Sequence, residues 1–484
     1  MQDGLNYSAF GKNDIRGIFP SEVNSELFFH TARGYVKWVS SKLSKTGISR
    51  KPDKMAFVVA MDARLHSPSL KLALINGLES AGVTEIEDYG IAPSPVGYYS
   101  EFIRNLDGAM IITASHNPSE YNGLKMTYSH QTLNEKQKNQ VKEYTYNSWK
   151  KLPKNLNIHS YTTQIISDYI SDMNARFYGV GKGIKVVVDS ANGTGGVVAP
   201  ELYRKLGAEV VELFSEPDGK FPNHHPNPSS LSTLKTICET VVKEKADLGI
   251  AFDGDSDRIG IIDSNGNPLT GDKLLLIYAL DMISSRGSDV KVVSEVKCSQ
   301  VLYDTINSTG AQAIMCKTGH GYIKEKMKET GALLGGEMSG HTFFKDRYFG
   351  YDDAIYAGCR MLEIIHKNKK IDPEFNISKV LEPFNNVFTS DEVRYPCPNE
   401  KKKETLEYVK TYVNDNPDMF GSEIKDIVTL DGMRIIFRGG FAIIRQSNTE
   451  PVFTLRFEAP TESECNKFKD AMLNCLDDYL GTKV

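Results

Sequence analysis

Residues 253–258 read DGDSDR, between the apolar runs LGIAF and IGII. Three carboxylates, Asp253, Asp255 and Asp257, thus stand at alternate positions. In an extended segment alternate side chains share a face, so the three converge on one point. Carboxylates that close repel one another unless a cation lies among them. A ligand set made only of oxygens selects a hard cation, Mg²⁺ or Ca²⁺. A calcium-loop reading fails, because the sixth position is Arg258 instead of Gly and the twelfth is Ser264 instead of Glu. The plain alternative is a solvated acidic turn. Anchorage between two apolar strands weighs against it.

A second constellation occupies residues 112–125, ITASHNPSEYNGLK. An apolar strand runs straight into Ser115, and Pro118 ends regular structure just beyond. A serine is therefore expected on a constrained turn at a strand's carboxyl end, where α/β sheets place their ligands. His116, Asn117 and Lys125 beside it suit the binding or polarising of an anion. Taken alone, Ser115 reads better as an ordinary turn residue. There is no G-x-S-x-G elbow, so an α/β-hydrolase is not supported.

Two further loops offer polar groups in dense order. In residues 335–341, GGEMSGH, Glu337 and Ser339 share a face if the segment is extended, and with His341 they suit hydrogen bonding to a polyol. In residues 445–451, RQSNTEP, Arg445, Ser447, Asn448 and Thr449 present a guanidinium fork, two hydroxyls and an amide. Backbone N–H groups at such a turn add donors, and phosphate is a fitting guest. A turn between strands accounts for either loop considered alone. DIRG at 14–17 and KTGH at 317–320 each place a basic residue near a glycine. The FPNHHPNP stretch at 221–228 reads as a structural loop, since adjacent histidines rarely chelate one ion and no third ligand is near. No G-x-x-x-x-G-K-[ST] and no G-x-G-x-x-G follows a strand, so neither a P-loop nor a dinucleotide fold is supported.

These loops need elements to hold them. Apolar runs at 54–61, 109–113, 184–188, 248–252 and 290–294 read as strands, with helices between them such as 69–81 and 272–285. Such alternation predicts α/β architecture with mostly parallel sheets. The C-terminal hundred residues differ: strands at 426–437, 440–444 and 452–458 precede one helix at 462–479, an α+β module. Polar or Lys-rich joints at 150–163, 264–273 and 367–390 divide the chain. The expected domains are 1–160, 161–268, 269–382 and 383–484, carrying the serine, aspartate, Glu337 and Arg445 loops in turn.

Composition sets outer limits. The 484 residues are 40% hydrophobic and 25% charged, with 57 Lys+Arg against 62 Asp+Glu and a net charge of -5. That is ordinary globular composition, and the charge disfavours a general nucleic-acid binder. Seven cysteines, scattered and with no CxxC pair, disfavour a disulfide scaffold or structural zinc and favour a reducing compartment. No apolar run is long enough to span a membrane, and the polar start shows no signal peptide. A cytoplasmic protein, monomeric or a small homo-oligomer, is expected.

In order, DIRG, TASHNP, DGDSDR, KTGH, GEMSGH and RQSNTEP resemble the motifs of the α-D-phosphohexomutase family across nearly the full chain. The resemblance is strongest to its phosphomannomutase/phosphoglucomutase branch. Met338 stands where the phosphoglucosamine branch usually carries Gln, and Asn448 where that branch tends to Gly. One departure is visible: Asn13 precedes DIRG where the family often has an aromatic residue, so a minor substrate contact is in doubt.

The resemblance implies three mixed α/β domains and a C-terminal α+β domain around a central cleft. It implies interconversion of hexose 1-phosphate and hexose 6-phosphate, of mannose or glucose, through a hexose 1,6-bisphosphate that is also the activator. Ser115 would be the phosphorylated carrier, with His116 beside it. Asp253, Asp255 and Asp257 would hold Mg²⁺ together with the serine phosphate. Glu337 and Ser339 would read sugar hydroxyls, and Arg445, Ser447, Asn448 and Thr449 would hold the phosphate that is not transferred. Arg16, Lys125, Arg258, Lys297, His320 and His341 would line the cleft, with Lys125, His320 and His341 as candidates for proton transfer. The competing expectations are a phosphoglucosamine mutase, a metal-dependent sugar phosphatase using the same serine, and a sugar-phosphate binder without turnover.

Overall fold

Short runs rich in Val and Ile build the sheets, as the sequence predicts. The structure is a computed structural model, and it describes residues 6–481 except 12–13, 46, 48–49, 149–151, 154–155, 157–163 and 448–449. Asn13 and most of the joint at 150–163 therefore lie outside the described residues. The chain divides into two compact units, Met1–Leu269 with Ser339–Asn376, and Thr270–Met338 with Ile377–Val484.

The first unit contains two sheets. In one, strand Ala56–Met61 runs parallel to Glu85–Ile91 on one side and to Gly108–Ile112 on the other. Tyr121–Tyr128 then pairs antiparallel with Gly108–Ile112, placing Lys125 opposite Ile111, and Ile15–Ile18 closes the edge. In the other sheet, Lys185–Asp189 lies parallel to both Glu209–Leu213 and Leu248–Phe252. Ile259–Asp263 turns back antiparallel, with Phe252 opposite Ile259. Gly108–Ile112 and Leu248–Phe252 are buried at every residue. That explains their unbroken apolar reading, since central strands of such sheets are covered on both faces. The helices Ser67–Ser80 and Ser94–Ile103 belong to the first of these sheets.

In the second unit, Lys291–Glu295 runs parallel to Gln312–Cys316 and to Leu334–Gly336. The C-terminal sheet is antiparallel, through Ile424–Val428, Met433–Phe437, Gly440–Gln446 and Val452–Ala459. One face packs Ile435, Ile444, Leu455 and Phe457 against Val409 and Val413 of helix Lys402–Asp415 and Phe468 and Met472 of helix Glu462–Leu480. Phe441 and Ile443, on the other face, pack against Val296. The buried Arg434 guanidinium donates to the Val296 and Cys298 carbonyls at 2.6 and 2.8 Å and lies 3.6 Å from the Phe441 ring centre. The sheet is thus covered on both sides.

Most predicted strands and helices are found within a residue or two of their expected bounds, the usual uncertainty at element ends. One expectation fails. The single strand at 426–437 is two strands joined by a turn at Asp431 and Gly432. Gly432 has φ +86°, and a Cβ there would meet the Ile444 carbonyl at 2.2 Å, so the position requires glycine. Among the described residues no helix is long and apolar enough to cross a membrane.

Candidate active site

Ser115 follows the buried strand Gly108–Ile112 and takes φ 50°, the left-handed region, which costs a residue with a side chain roughly 1–2 kcal/mol. Surrounding bonds hold it there. The Ser115 N–H donates to Thr113 Oγ1 at 2.8 Å. Arg64, fully buried, donates through Nη2 to the Ser115 and Asn117 carbonyls at 2.9 and 2.6 Å, and through Nη1 to those of Pro118 and Tyr121. Its Nε is paired to Asp62 at 3.0 Å. The turn is therefore clamped from beneath by one cation. The Ser115 hydroxyl, so placed, donates to Asp253 Oδ2 at 2.6 Å and lies 3.1 Å from His116 Nδ1.

The aspartates occupy the tip of the hairpin between Leu248–Phe252 and Ile259–Asp263. They converge, but not because the segment is extended. Ser256 takes φ 62°, and its N–H closes a turn onto the Asp253 carbonyl at 3.2 Å. Asp253 Oδ1 accepts from the Asp257 and Arg258 N–H groups at 3.1 and 3.2 Å. The turn brings one oxygen of each carboxylate within 4.8 Å of the others, all buried. Gly254 abuts the serine loop: a Cβ there would meet the Ser115 carbonyl at 2.5 Å.

Lys125 Nζ reaches Asp255 Oδ2 at 2.6 Å and Asp257 Oδ2 at 2.5 Å. Ser94 donates to Asp255 Oδ2 as well, at 2.5 Å. Asp255 Oδ1 and Asp257 Oδ1 are buried with no hydrogen-bond partner. Such oxygens are costly unless a cation takes them, so the trio fits a hard divalent ion. The charges agree. Burial, then the charges of Asp257 and Asp255, push the Asp253 carboxyl well above the usual range. Burial acts on Asp257 in the same sense, yet Lys125, His341 and Arg258 outweigh it and hold that carboxyl well below. Burial would lower Lys125, but Asp255 and Asp257 raise it well above its ordinary value, so it is an ammonium at neutral pH. Burial, Arg258 and Arg16 hold His116 well below its ordinary value, hence neutral.

The other candidates of the first unit lie around this centre. Arg16 donates to Asn117 Oδ1 at 2.6 Å and pairs with Asp14 at 3.0 Å. Arg258 Nε donates to His341 Nε2 at 3.1 Å. The Ile259 N–H donates to the Gly340 carbonyl at 3.2 Å, which fixes the GEMSGH end against the aspartate hairpin. That motif turns at 338–340, with Gly340 at φ +92°, so Glu337 and Ser339 do not share a face by strand alternation.

In the second unit the remaining candidates are gathered by two acids. Glu295 accepts from Thr318 Oγ1 at 2.6 Å and from the Met338 N–H at 2.8 Å, tying the KTGH loop to GEMSGH. Asp431 accepts from the Thr318 N–H at 3.1 Å and from Arg445 Nε at 3.3 Å, tying KTGH to the RQSNTEP loop. Glu337 accepts from the Gly319 N–H at 2.7 Å, just before His320 opens its helix. Lys297 is paired with Glu392 at 3.5 Å. Lys402, buried, donates to the carbonyls of Ser447 at 2.9 Å and of Glu450. Asn448 and Thr449 lie outside the described residues.

Four models of one family match the chain in sequence: phosphoglucomutase/phosphomannomutase alpha/beta/alpha domain I over residues 8–151, domain II over 160–266, domain III over 270–380, and the C-terminal domain over 392–474. The chain belongs to the phosphoglucomutase/phosphomannomutase family. A phosphomannomutase/phosphoglucomutase of Pseudomonas aeruginosa is 36% identical over 476 residues, 97% of this chain and 95% of that one. A phosphoglucomutase of Neisseria gonorrhoeae is 34% identical over 463 residues, 95% of each. A phosphoglucomutase/phosphomannomutase family protein of Burkholderia thailandensis has a crystal structure that superposes with TM-score 0.86 at 31% identity, covering 99% of both chains.

Within this phosphoglucomutase/phosphomannomutase frame, sequence reasoning missed the residues that hold the loops in place. Arg64, Ser94, Glu295 and Asp431 are single polar residues outside the dense motifs. Asp62 and Arg64 directly follow strand Ala56–Met61, and Glu295 ends strand Lys291–Glu295. A polar residue at the carboxyl end of an apolar strand was the available signal. In the HH pair, His224 Nε2 faces the buried Asp189 carboxylate at 3.0 Å.

Proposed function

We propose that this family member is a phosphohexomutase that interconverts hexose 1-phosphate and hexose 6-phosphate, with Ser115 as the phosphoryl carrier. One observation carries the assignment of the centre. The Ser115 hydroxyl meets Asp253 among three buried carboxylates, two of which keep an oxygen without a partner.

Asp253, Asp255, Asp257 and the phosphate on Ser115 would hold Mg²⁺, which supplies charge neutralisation for the transferring group. The chain's own residues do the rest. Arg64 fixes the backbone under Ser115, so the carrier oxygen is aimed before substrate arrives. His116, neutral, orients that oxygen. Lys125, whose ammonium form Asp255 and Asp257 favour, offsets charge on the transferring group and stays a candidate for proton transfer. His320 and His341 are the other candidates. In the first half-reaction the Ser115 Oγ–P bond breaks, a bond forms from phosphorus to the free sugar hydroxyl oxygen, and that hydroxyl's proton goes to a base. The hexose 1,6-bisphosphate then turns end for end. In the second half-reaction its other phosphate passes back to Ser115, and the proton returns to the oxygen it leaves.

Turning the intermediate requires a holder that accepts a phosphate from either end of the sugar. Arg445 and Ser447, with Asn448 and Thr449, are proposed for it. Glu337 and Ser339 are proposed to read the hydroxyls, and Arg16, Arg258 and Lys297 to contact the substrate's charge. The four proposed domains are 1–160, 161–268, 269–382 and 383–484. The seven unpaired cysteines suit a reducing, cytoplasmic setting.

The test is kinetic. Enzyme with Mg²⁺ and hexose bisphosphate is given glucose 1-phosphate, mannose 1-phosphate and glucosamine 1-phosphate in parallel, with inorganic phosphate followed alongside. The expected result is isomerisation of the glucose or mannose ester, or both, with little phosphate release. Dominant release of phosphate marks a phosphatase instead, and preference for the glucosamine ester moves the chain to that branch.

A further inference from the structure

Each aspartate of the hairpin spends one carboxylate oxygen on the protein. Asp253 Oδ1 takes the N–H groups of Asp257 and Arg258. Asp257 Oδ2 takes Lys125 Nζ. Asp255 Oδ2 takes two donors, Lys125 Nζ at 2.6 Å and the Ser94 hydroxyl at 2.5 Å. One oxygen apiece is left. Oδ1 of Asp255 and Oδ1 of Asp257 are buried without a hydrogen-bond partner, and Oδ2 of Asp253 faces the Ser115 hydroxyl. The cage therefore suits a cation that takes a single oxygen from each carboxylate.

Ser94 differs from the other holders because it grips Asp255 twice. Its N–H also donates to the Asp255 carbonyl, at 2.9 Å. Ser94 is the first residue of helix Ser94–Ile103, and Pro93 before it gives that helix no side-chain cap. An N–H in the first turn has no partner within its own helix, so here Asp255 supplies one. Helix and hairpin are joined at this pair, and both residues are buried. Lys125 carries its charge on a long flexible stem and can follow a carboxylate that swings. A hydroxyl borne directly on a helix terminus cannot, so Ser94 is the holder that fixes where Oδ2 lies.

That restriction bears on the choice of ion. Mg²⁺ is small and demands near-ideal octahedral positions, whereas Ca²⁺ takes more oxygens at longer distances and often both oxygens of one carboxylate. We propose that Ser94 is a specificity-determining positioning residue: it keeps Asp255 to a single ligand oxygen and so makes the cage select Mg²⁺ against Ca²⁺. This rests on the assignment of the three aspartates as the holders of the ion. A group that orients a ligand without touching the ion typically changes metal affinity by roughly 10- to 100-fold.

The test uses the full-length enzyme, freed of metal by a chelator and without sugar phosphate. Mn²⁺ is the probe. Its free EPR signal is followed as Mg²⁺ or Ca²⁺ displaces it from the protein, which gives the affinity for each ion. The parent is expected to bind Mg²⁺ more tightly than Ca²⁺. Ser94→Ala should lower the ratio of Mg²⁺ to Ca²⁺ affinity about tenfold, and Ser94→Thr, which keeps the hydroxyl, should stay nearer the parent. A merely structural Ser94 would lower the melting temperature and leave that ratio unmoved. The proposal is overturned by a parent that prefers Ca²⁺ or by a parental ratio in Ser94→Ala. If Ser94→Ala does not fold, Ser94→Cys, a weaker donor of similar shape, decides by the same ratio. Asp255→Asn reports on the cage itself. Parental Mn²⁺ binding in that variant would overturn the aspartate assignment, whereas lost binding there with a parental ratio in Ser94→Ala overturns the role of Ser94 alone.

Discussion

The Ser115 hydroxyl donates to Asp253 across 2.6 Å although the residues are 138 positions apart. Two strands from two different sheets deliver them, one ending before the serine and one before the aspartate. Gly254 lets the two loops touch, because any side chain there would strike the Ser115 carbonyl. The nucleophilic oxygen and the acidic cluster are thus one centre. Ser115→Ala removes the carrier and leaves the cluster. Mutase turnover should drop to background, and label from a hexose bisphosphate should no longer enter the protein. Retention of most of the turnover would end the carrier assignment.

Asp255 shares one oxygen with Lys125 and Ser94 and keeps the other without a partner. Asp255→Asn keeps the shape and removes a charge from the cation's cage. The Mg²⁺ concentration for half-maximal rate should rise tenfold or more, about 1.4 kcal/mol of binding, with a lower rate at saturation. A titration that superposes on the parent's would count against Asp255 as a ligand.

Such residues were legible because their types are dense and their spacing is short. Asp253, Asp255 and Asp257 could be read as a cluster even though the reason given, an extended strand, is wrong. The left-handed Ser256 that makes the turn has no mark in sequence, since serine shows no special preference for that conformation. Arg64 was illegible for another reason: its partners, the carbonyls of residues 115–121, lie more than fifty positions away and are backbone atoms. Asp431 is similar, with Thr318 as a partner 113 positions off. The split of 426–437 into two strands is a different matter. Its Asp-Gly pair is a turn signal that the apolar residues around it masked.

Arg64 is expected to matter to stability as much as to rate. It is fully buried, paired with Asp62 and donating to the carbonyls of the serine turn. Arg64→Met fills similar space but strands the Asp62 charge and those carbonyls. Breaking a buried pair from one side costs about 3–5 kcal/mol. The denaturant midpoint should fall accordingly, and kcat should fall with it in the folded fraction as the serine turn relaxes. Parental stability would show that the clamp is dispensable.

Arg445 is nearly buried, and its Nε is spent on Asp431. Its Nη groups are proposed to meet phosphate. Arg445→Ala removes a charge-assisted contact worth roughly 1.5–3 kcal/mol, so KM should rise about tenfold or more. An unaltered KM would argue that this loop does not see phosphate.

Glu101 is buried under Thr127, whose hydroxyl donates to it at 2.5 Å. Burial pushes its carboxyl up to about 7, against hydrogen bonds from Thr127 and the His130 backbone that pull it down. The folded protein therefore keeps this proton at pH values where the unfolded chain, titrating near 4.5, has lost it. The stabilisation is full below about 4.5, is lost as pH rises toward 7, and is absent above that. Glu101→Gln has no proton to lose. Relative to the parent it should gain stability between pH 5 and pH 8, on the order of 3 kcal/mol at most. Thermal midpoints of both proteins measured across that range should separate as pH rises. A gap that stays constant would mean that Glu101 titrates as an ordinary carboxylate and that its burial is relieved in solution.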